Sequence, residues 1–135
     1  MSKTLLFSEL LEHAAELDIR VNVTGCMCVV DLVGDVDKYT SPRLSSTIFD
    51  LLEDGIRRIV LGMDNVDYID STGLVCLVSG LQSAGKLNGE FAISGANSRI
   101  RKALEVTGLS KIIPLFDDES DAIGSFSTEE AALAA

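Results

Sequence analysis

Seven residues in the middle of the chain constrain its architecture most. From Arg57 to Met63 the sequence forms a short apolar run with Ile59-Val60-Leu61 at its centre. Few polar residues interrupt it, as a central strand covered on both faces requires. The flanking segments carry a different period. Before it, Leu44, Ile48, Leu51 and Leu52 form a helical stripe, opened by Ser41-Pro42 and closed by Gly55. After it, Leu74, Leu77, Val78 and Leu81 form a second stripe that fades out between Gly85 and Gly89. Glu90 to Ser94 then reads as a strand. Asn97 to Thr107 reads as a helix with Ile100, Ala103, Leu104 and Thr107 together and Gly108 as its C′ residue. Lys111 to Phe116 reads as a last strand or extended piece, and Asp118 to Phe126 as a short helix. Alternation of helix and strand predicts an α/β domain with a largely parallel sheet. Its functional groups are expected at the ends of strands.

The first part of the chain reads differently. Ile19, Val21 and Val23 alternate with Arg20, Asn22 and Thr24, the period of a half-buried strand. Gly25 marks a turn, and Met27 to Val33 is a second Val-rich run, so the two segments predict a hairpin. Gly34-Asp35-Val36-Asp37 ends that second strand with turn chemistry. Upstream, Phe7, Leu10, Leu11 and Ala14 fall at helical spacing and predict an amphipathic helix over residues 4–17. The expected division is a helical extension at 1–18, one domain at 19–126 and a frayed tail at 127–135.

Composition excludes several functions. Eleven basic and 21 acidic residues give a net charge of −10, the wrong sign for nucleic acid or an anionic membrane surface. Such a charge suits a protein partner with basic groups, and equally suits plain solubility. Lys3 is followed by a few apolar residues that Glu9 and Glu12 interrupt, so the start does not read as a signal peptide. No apolar run approaches bilayer length. The three cysteines, Cys26, Cys28 and Cys76, are an odd number for a disulfide scaffold and fit a reducing cytoplasm. On a strand Cys26 and Cys28 share a face, yet with the single His13 they offer too few ligands for a metal. Cys76 reads as a small core residue.

Three stretches invite a chemical reading. Gly80-Leu81-Gln82-Ser83-Ala84-Gly85-Lys86 has phosphate-loop spacing, but Leu87 stands where Ser or Thr would hold magnesium, and the stretch lies at a helix's end. Ser71 as a nucleophile lacks a base, since the only imidazole is His13 and no G-x-S-x-G surrounds it. Asp64, Asp67 and Asp70 cluster in what reads as a polar loop from Asp64 to Asp70, where turn and cap formation is their expected role. That leaves Tyr68-Ile69-Asp70-Ser71-Thr72-Gly73-Leu74, which opens a helix. Asp70 or Ser71 could cap it. A serine there is exposed, and Gly73 leaves room for another protein's backbone.

Asp70-Ser71-Thr72-Gly73-Leu74 resembles the D-S-[ST]-G-L signature of STAS domains in anti-sigma factor antagonists. Arg57-Arg58-Ile59-Val60-Leu61 followed by Val66-Asp67-Tyr68-Ile69 resembles the strand and loop that lead to it. Leu32-Val33-Gly34-Asp35-Val36-Asp37 resembles the family's L-x-G-[ED]-[LV]-D segment. Val106-Thr107-Gly108-Leu109 with Ile112-Ile113 resembles its closing piece. The resemblance covers roughly residues 19–126 and implies an α/β STAS-type fold: a four- to five-stranded mixed sheet with helices packed against it. It implies Ser71 as a phosphoacceptor, with Thr72 as the alternative hydroxyl. It implies a partner-binding surface of Asp35, Asp37, Asp70, Ser71, Thr72, Gly73 and Leu74. The partner would be an anti-sigma factor serine kinase, bound by the unphosphorylated protein and released by the phosphorylated one. A partner phosphatase would reset the switch. The implied protein is cytoplasmic, is not an enzyme, and uses no cofactor, metal, nucleic acid or membrane.

The helix at 4–17 is extra to this pattern. Covering a sheet edge or apolar surface is its expected role, and homodimerisation or partner selection is the other. STAS domains also serve as docking subunits or regulators of transporters and stress-sensing assemblies, without phosphorylation. The Asp70-Ser71 pair favours the kinase-regulated branch. A ligand-binding role at the same loop stays open.

Overall fold

The computed structural model describes residues 17–126. Five strands form one mixed sheet in the order β1-β2-β3-β4-β5. These are β1 (Asp18–Thr24), β2 (Met27–Val36), β3 (Arg58–Ile69), β4 (Glu90–Ser94) and β5 (Leu115–Phe116). The first pair is the expected antiparallel hairpin, and the other three pairings are parallel. The helices are α1 (Ser41–Glu53), α2 (Ser71–Lys86), α3 (Ser98–Val106) and α4 (Glu119–Gly124). The expected N-terminal helix and C-terminal tail lie outside the described residues, apart from Leu17, which stands directly before β1 and is not helical. Among the described residues no helix is long and apolar enough to cross a membrane.

Strand alternation divides the core in two. Cys28, Val30 and Leu32 of β2, Ile59, Leu61 and Met63 of β3, and Phe91 and Ile93 of β4 meet Leu44, Ile48 and Leu52 of α1, Leu77 and Ala84 of α2, and Ile100 and Leu104 of α3. On the other side Val29, Val60 and Ala92 meet Ala122 of α4, with Phe116, Ile123 and Phe126 around them. Ile59, Val60 and Leu61 are all fully buried, as a central strand demands. Asn97 caps α3 by accepting the Ile100 N–H at 2.9 Å, and Gly108 follows that helix with φ of 80°, a left-handed conformation that favours glycine.

Several expectations are corrected. Gly34-Asp35-Val36 does not end β2; the strand runs to Val36. Gly34 has φ of 127°, and register shifts at Asp31/Val33 and Gly34/Asp35 bend the strand without stopping it. Residues 64–69 are likewise not a loop but the second half of β3, paired with β2 through Val33↔Asn65, Gly34↔Val66, Asp35↔Tyr68 and Val36↔Ile69. Pairing with β4 ends at Gly62, so this half has one neighbouring strand and keeps polar residues at Asp64, Asn65 and Asp67. Before β5, Leu109–Lys111 forms a 3-10 turn, and the last strand is only two residues long.

The buried line of α2 also differs from the expected stripe. It consists of Gly73, Cys76, Leu77, Gly80 and Ala84, while Leu74, Val78 and Leu81 are half-buried. A Cβ at Gly80 would lie 3.0 Å from Phe91 Cε2. The helix therefore lies close to the sheet, and small residues make the contact. Gly80 to Lys86 is helical throughout, which removes the phosphate-loop spacing from consideration. Cys26 lies in the turn between β1 and β2, so it shares no strand face with Cys28. Its carbonyl accepts the N–H groups of Arg57 at 2.7 Å and Arg58 at 3.1 Å. Cys28 is wholly buried, and burial pushes its thiol up to about 11. Cys76 is a core residue as expected; burial raises its pKa while a hydrogen bond with Ser45 at 3.1 Å acts the other way.

Candidate functional site

The parallel pairing of Val36 with Ile69 brings the ends of β2 and β3 together. From Val36 the chain turns through Asp37–Thr40 into α1, and from Ile69 it turns through Asp70 into α2. The first turn is held by its own side chains. Asp37 Oδ1 accepts the N–H groups of Tyr39 at 2.8 Å and Thr40 at 3.0 Å. Thr40 Oγ1 accepts the Asp37 N–H at 2.9 Å and donates to the Asp35 carbonyl at 2.8 Å. Asp37 is thereby committed to turn geometry, the role short acidic side chains fill best.

Asp70 joins the two turns. Its N–H donates to the Val36 carbonyl at 3.1 Å, its Oδ1 accepts the Gly73 N–H at 2.8 Å, and its Oδ2 accepts the Lys38 N–H at 3.1 Å. Asp70, not Ser71, is therefore the cap of α2. Ser71 becomes the first residue of the helix. It is exposed, and its hydroxyl has no hydrogen-bond partner among the described residues. Thr72 beside it is exposed, and Leu74 is half-buried.

Gly73 requires a correction. It is buried, and a Cβ there would lie 2.5 Å from the Val36 carbonyl oxygen and 2.6 Å from Ile69 Cγ1. The missing side chain makes room for this chain's own strand ends, not for a partner's backbone. The remaining expected residues, Asp35, Asp37, Asp70, Ser71, Thr72 and Leu74, do converge at this end of the sheet.

Sequence reasoning missed the apolar rim. Tyr39 is 41% exposed, Tyr68 49% and Val75 67%. Lys38 Nζ stands 5.0 Å from the centre of the Tyr39 ring, within cation–π range. A signal was present: the chain has two tyrosines, and both flank the acidic segments already singled out. Val75 follows Ser71 by one helical turn and shares its side of α2.

The STAS domain family profile matches residues 18–122. The chain belongs to the STAS domain family. As a STAS domain it is 36% identical over 97 residues to the anti-sigma-B factor antagonist of Staphylococcus aureus, covering 72% of this chain and 90% of that protein. It is 29% identical over 100 residues to the anti-sigma F factor antagonist of Paenibacillus polymyxa, covering 70% and 82%. The crystal structure of an anti-sigma factor antagonist from Mycobacterium paratuberculosis superposes with a TM-score of 0.73 at 27% identity, covering 81% of this chain and 92% of that one. The STAS fold expected from the signature is thus the fold observed, with the Asp70–Leu74 signature where β3 hands over to α2.

Proposed function

We propose that this STAS domain is a phosphorylation-switched anti-sigma factor antagonist, a binding protein rather than an enzyme. In the unphosphorylated state it binds an anti-sigma factor serine kinase. Phosphorylation of Ser71 releases that kinase, and a phosphatase restores the binding form. The observation that carries this reading is the division of labour at the start of α2. Asp70 supplies the side-chain cap, while the Ser71 hydroxyl is exposed and has no hydrogen-bond partner among the described residues.

The electrostatics favour a switch at that position. A phosphate brings about −1.5 to −2 charges. Within the chain the helix N-terminus tolerates it, because the first N–H groups of a helix lack helical partners and the dipole is positive there. Against a partner, that charge would lie beside Asp70 on a chain already at −10. Losing about 3 kcal/mol of contact energy weakens binding about a hundredfold, with no change of fold needed. The names of the relatives, antagonists of anti-sigma-B and anti-sigma F factors, support the choice of partner class.

The test is intact mass of the protein from its own cells, before and after phosphatase, with the modified residue mapped. A phosphate on Ser71, absent in Ser71→Ala, is the expected result. Phosphate on Thr72 moves the acceptor by one residue. No phosphate under any growth condition overturns the switch and leaves a docking subunit.

A further inference from the structure

The outer edge of β4 is only half covered. β4 is the five-residue strand Glu90–Ser94, yet β5 pairs with its last two residues alone, Leu115 with Ile93 and Phe116 with Ser94. Strand alternation assigns the backbone groups of the rest. The Glu90 N–H donates to the Arg57 carbonyl at 2.8 Å, on the β3 side, and the Ile93 N–H donates to the Pro114 carbonyl at 2.9 Å, on the β5 side. The N–H and C=O of Phe91 therefore point outward, on the same side as those of Ile93. Among the described residues neither group has a hydrogen-bond partner. Two features of the chain before β5 explain the gap. The N–H groups of Ile112 and Ile113 both donate to the Leu109 carbonyl, at 3.0 and 2.9 Å, so the chain curls away from β4 there. Pro114 stands where a continued ladder would donate to the Phe91 carbonyl, and proline has no N–H. Phe91 is 2% exposed, and residues so buried seldom leave their backbone groups unpaired.

Beside this open rung lies a cavity of about 500 Å³. Leu81 and Phe91 line it from the sheet face that carries α1, α2 and α3, and Phe116 and Phe126 from the face that carries α4. Ile112, 54% exposed, stands at its rim. The cavity thus wraps the strand edge and receives side chains from both faces of the sheet. An extended peptide has that form, because its successive side chains point to opposite faces while its backbone groups reach the edge between them. We propose that this edge is a peptide-binding site: an extended apolar segment of another protein adds beside β4, closes the open rung at Phe91 and sets bulky side chains into the cavity on either side of it. The charge pattern selects an uncharged segment. Glu90 is the one charged residue that lines the cavity, and Arg58 holds its carboxylate at 2.6 Å. The site lies against the last turns of α2, whereas Ser71 opens that helix, so it is separate from the switch.

The probe is a terminally blocked peptide of valine, phenylalanine and threonine, titrated into isotope-labelled full-length protein and followed by amide NMR. The expected result is a saturable downfield shift of the Phe91 N–H as it gains an acceptor, with smaller shifts at Phe116 and Phe126 and none at Ser71. The same peptide with methylated backbone nitrogens keeps its side chains and loses its donors, and it should bind about tenfold more weakly. Ile112→Glu places a charge at the exposed rim and should also weaken binding, while the amides of Ile59, Val60 and Leu61 keep their positions and report an intact core. Binding that leaves the Phe91 amide unmoved, or equal binding of the methylated peptide, would overturn the proposal. So would the lack of any saturable shift at millimolar peptide. Strong exchange protection of the Phe91 N–H before peptide is added would show the rung already closed within the chain, which overturns it as well.

Discussion

The backbone N–H of Lys38 donates to the Asp70 carboxylate at 3.1 Å, across 32 residues of sequence. One oxygen of that carboxylate holds the turn after β2 and the other caps α2. The Asp70 side chain thus ties the start of α2 to the Asp37–Thr40 turn, in addition to the backbone bond from the Asp70 N–H to the Val36 carbonyl.

Asp70→Ala removes both bonds and should destabilise the protein by about 1–2 kcal/mol, the usual scale for a lost cap. Asp70→Asn keeps one carbonyl oxygen for Gly73 but loses the second acceptor, so its cost should be smaller. Urea unfolding measures the difference. Amide exchange separates the two bonds: in Asp70→Asn the Lys38 N–H should exchange faster while the Gly73 N–H stays protected. Equal stability of Asp70→Ala and the parent protein would show that the bridge contributes nothing.

Ser71→Ala should change stability by no more than about 0.5 kcal/mol, because an exposed hydroxyl without a partner among the described residues has little to lose. The contrast with Asp70→Ala, one residue away, is the informative quantity. A large loss in Ser71→Ala would make the hydroxyl a structural group and weaken its assignment as the switch.

Two glycines of α2 should respond in opposite directions to alanine. At Gly73 the new Cβ would meet the Val36 carbonyl at 2.5 Å, and the backbone must shift. A loss of about 1–3 kcal/mol is expected for such overpacking. At Gly85 nothing outside the helix lies within 4 Å, so Gly85→Ala should stabilise by up to about 1 kcal/mol through helix propensity. Thermal melts of the two variants check both signs.

The buried thiols of Cys28 and Cys76 should titrate late. Cys28 is neutral in the fold, with its pKa raised from 9.0 to about 11 by burial. A group raised in the folded state stabilises below its unfolded pKa and loses that contribution as pH climbs through the folded value. Stability should therefore fall between pH 9.0 and about 11, a trend that Cys28→Ala removes in part. At neutral pH a thiol reagent should label Cys26, which is half-buried in its turn, ahead of Cys28 and Cys76. Equal labelling of all three would contradict the burial described.

Which elements were legible follows from how far their causes reach. Glu90 to Ser94 is delimited by local signals and was read with its observed bounds. Asn97 and Gly108 frame α3 by rules that act over four residues, and they were legible too. Residues 64–69 were not, because their polar side chains look like a loop until β2 supplies a neighbour. Val66 is the one buried residue in that stretch, and a single inward position makes no period.

By itself the sequence determined the α/β class, the order of elements, the burial of Ile59-Val60-Leu61 and the family to which the Asp70–Leu74 signature belongs. All of these depend on residue type and short-range spacing. Only the tertiary structure decided that Asp70 and not Ser71 caps α2, that Gly73 serves the chain's own strand ends, that β2 and β3 run on past residues 34 and 64, and that β1 keeps Val21 and Val23 open. Each of these depends on a partner far away in sequence: Lys38 for Asp70, Val36 for Gly73, β2 for β3, and the reach of α1 for β1. Local periodicity does not encode which distant backbone fills a given space. That is settled when the strands pair and the helices close over them.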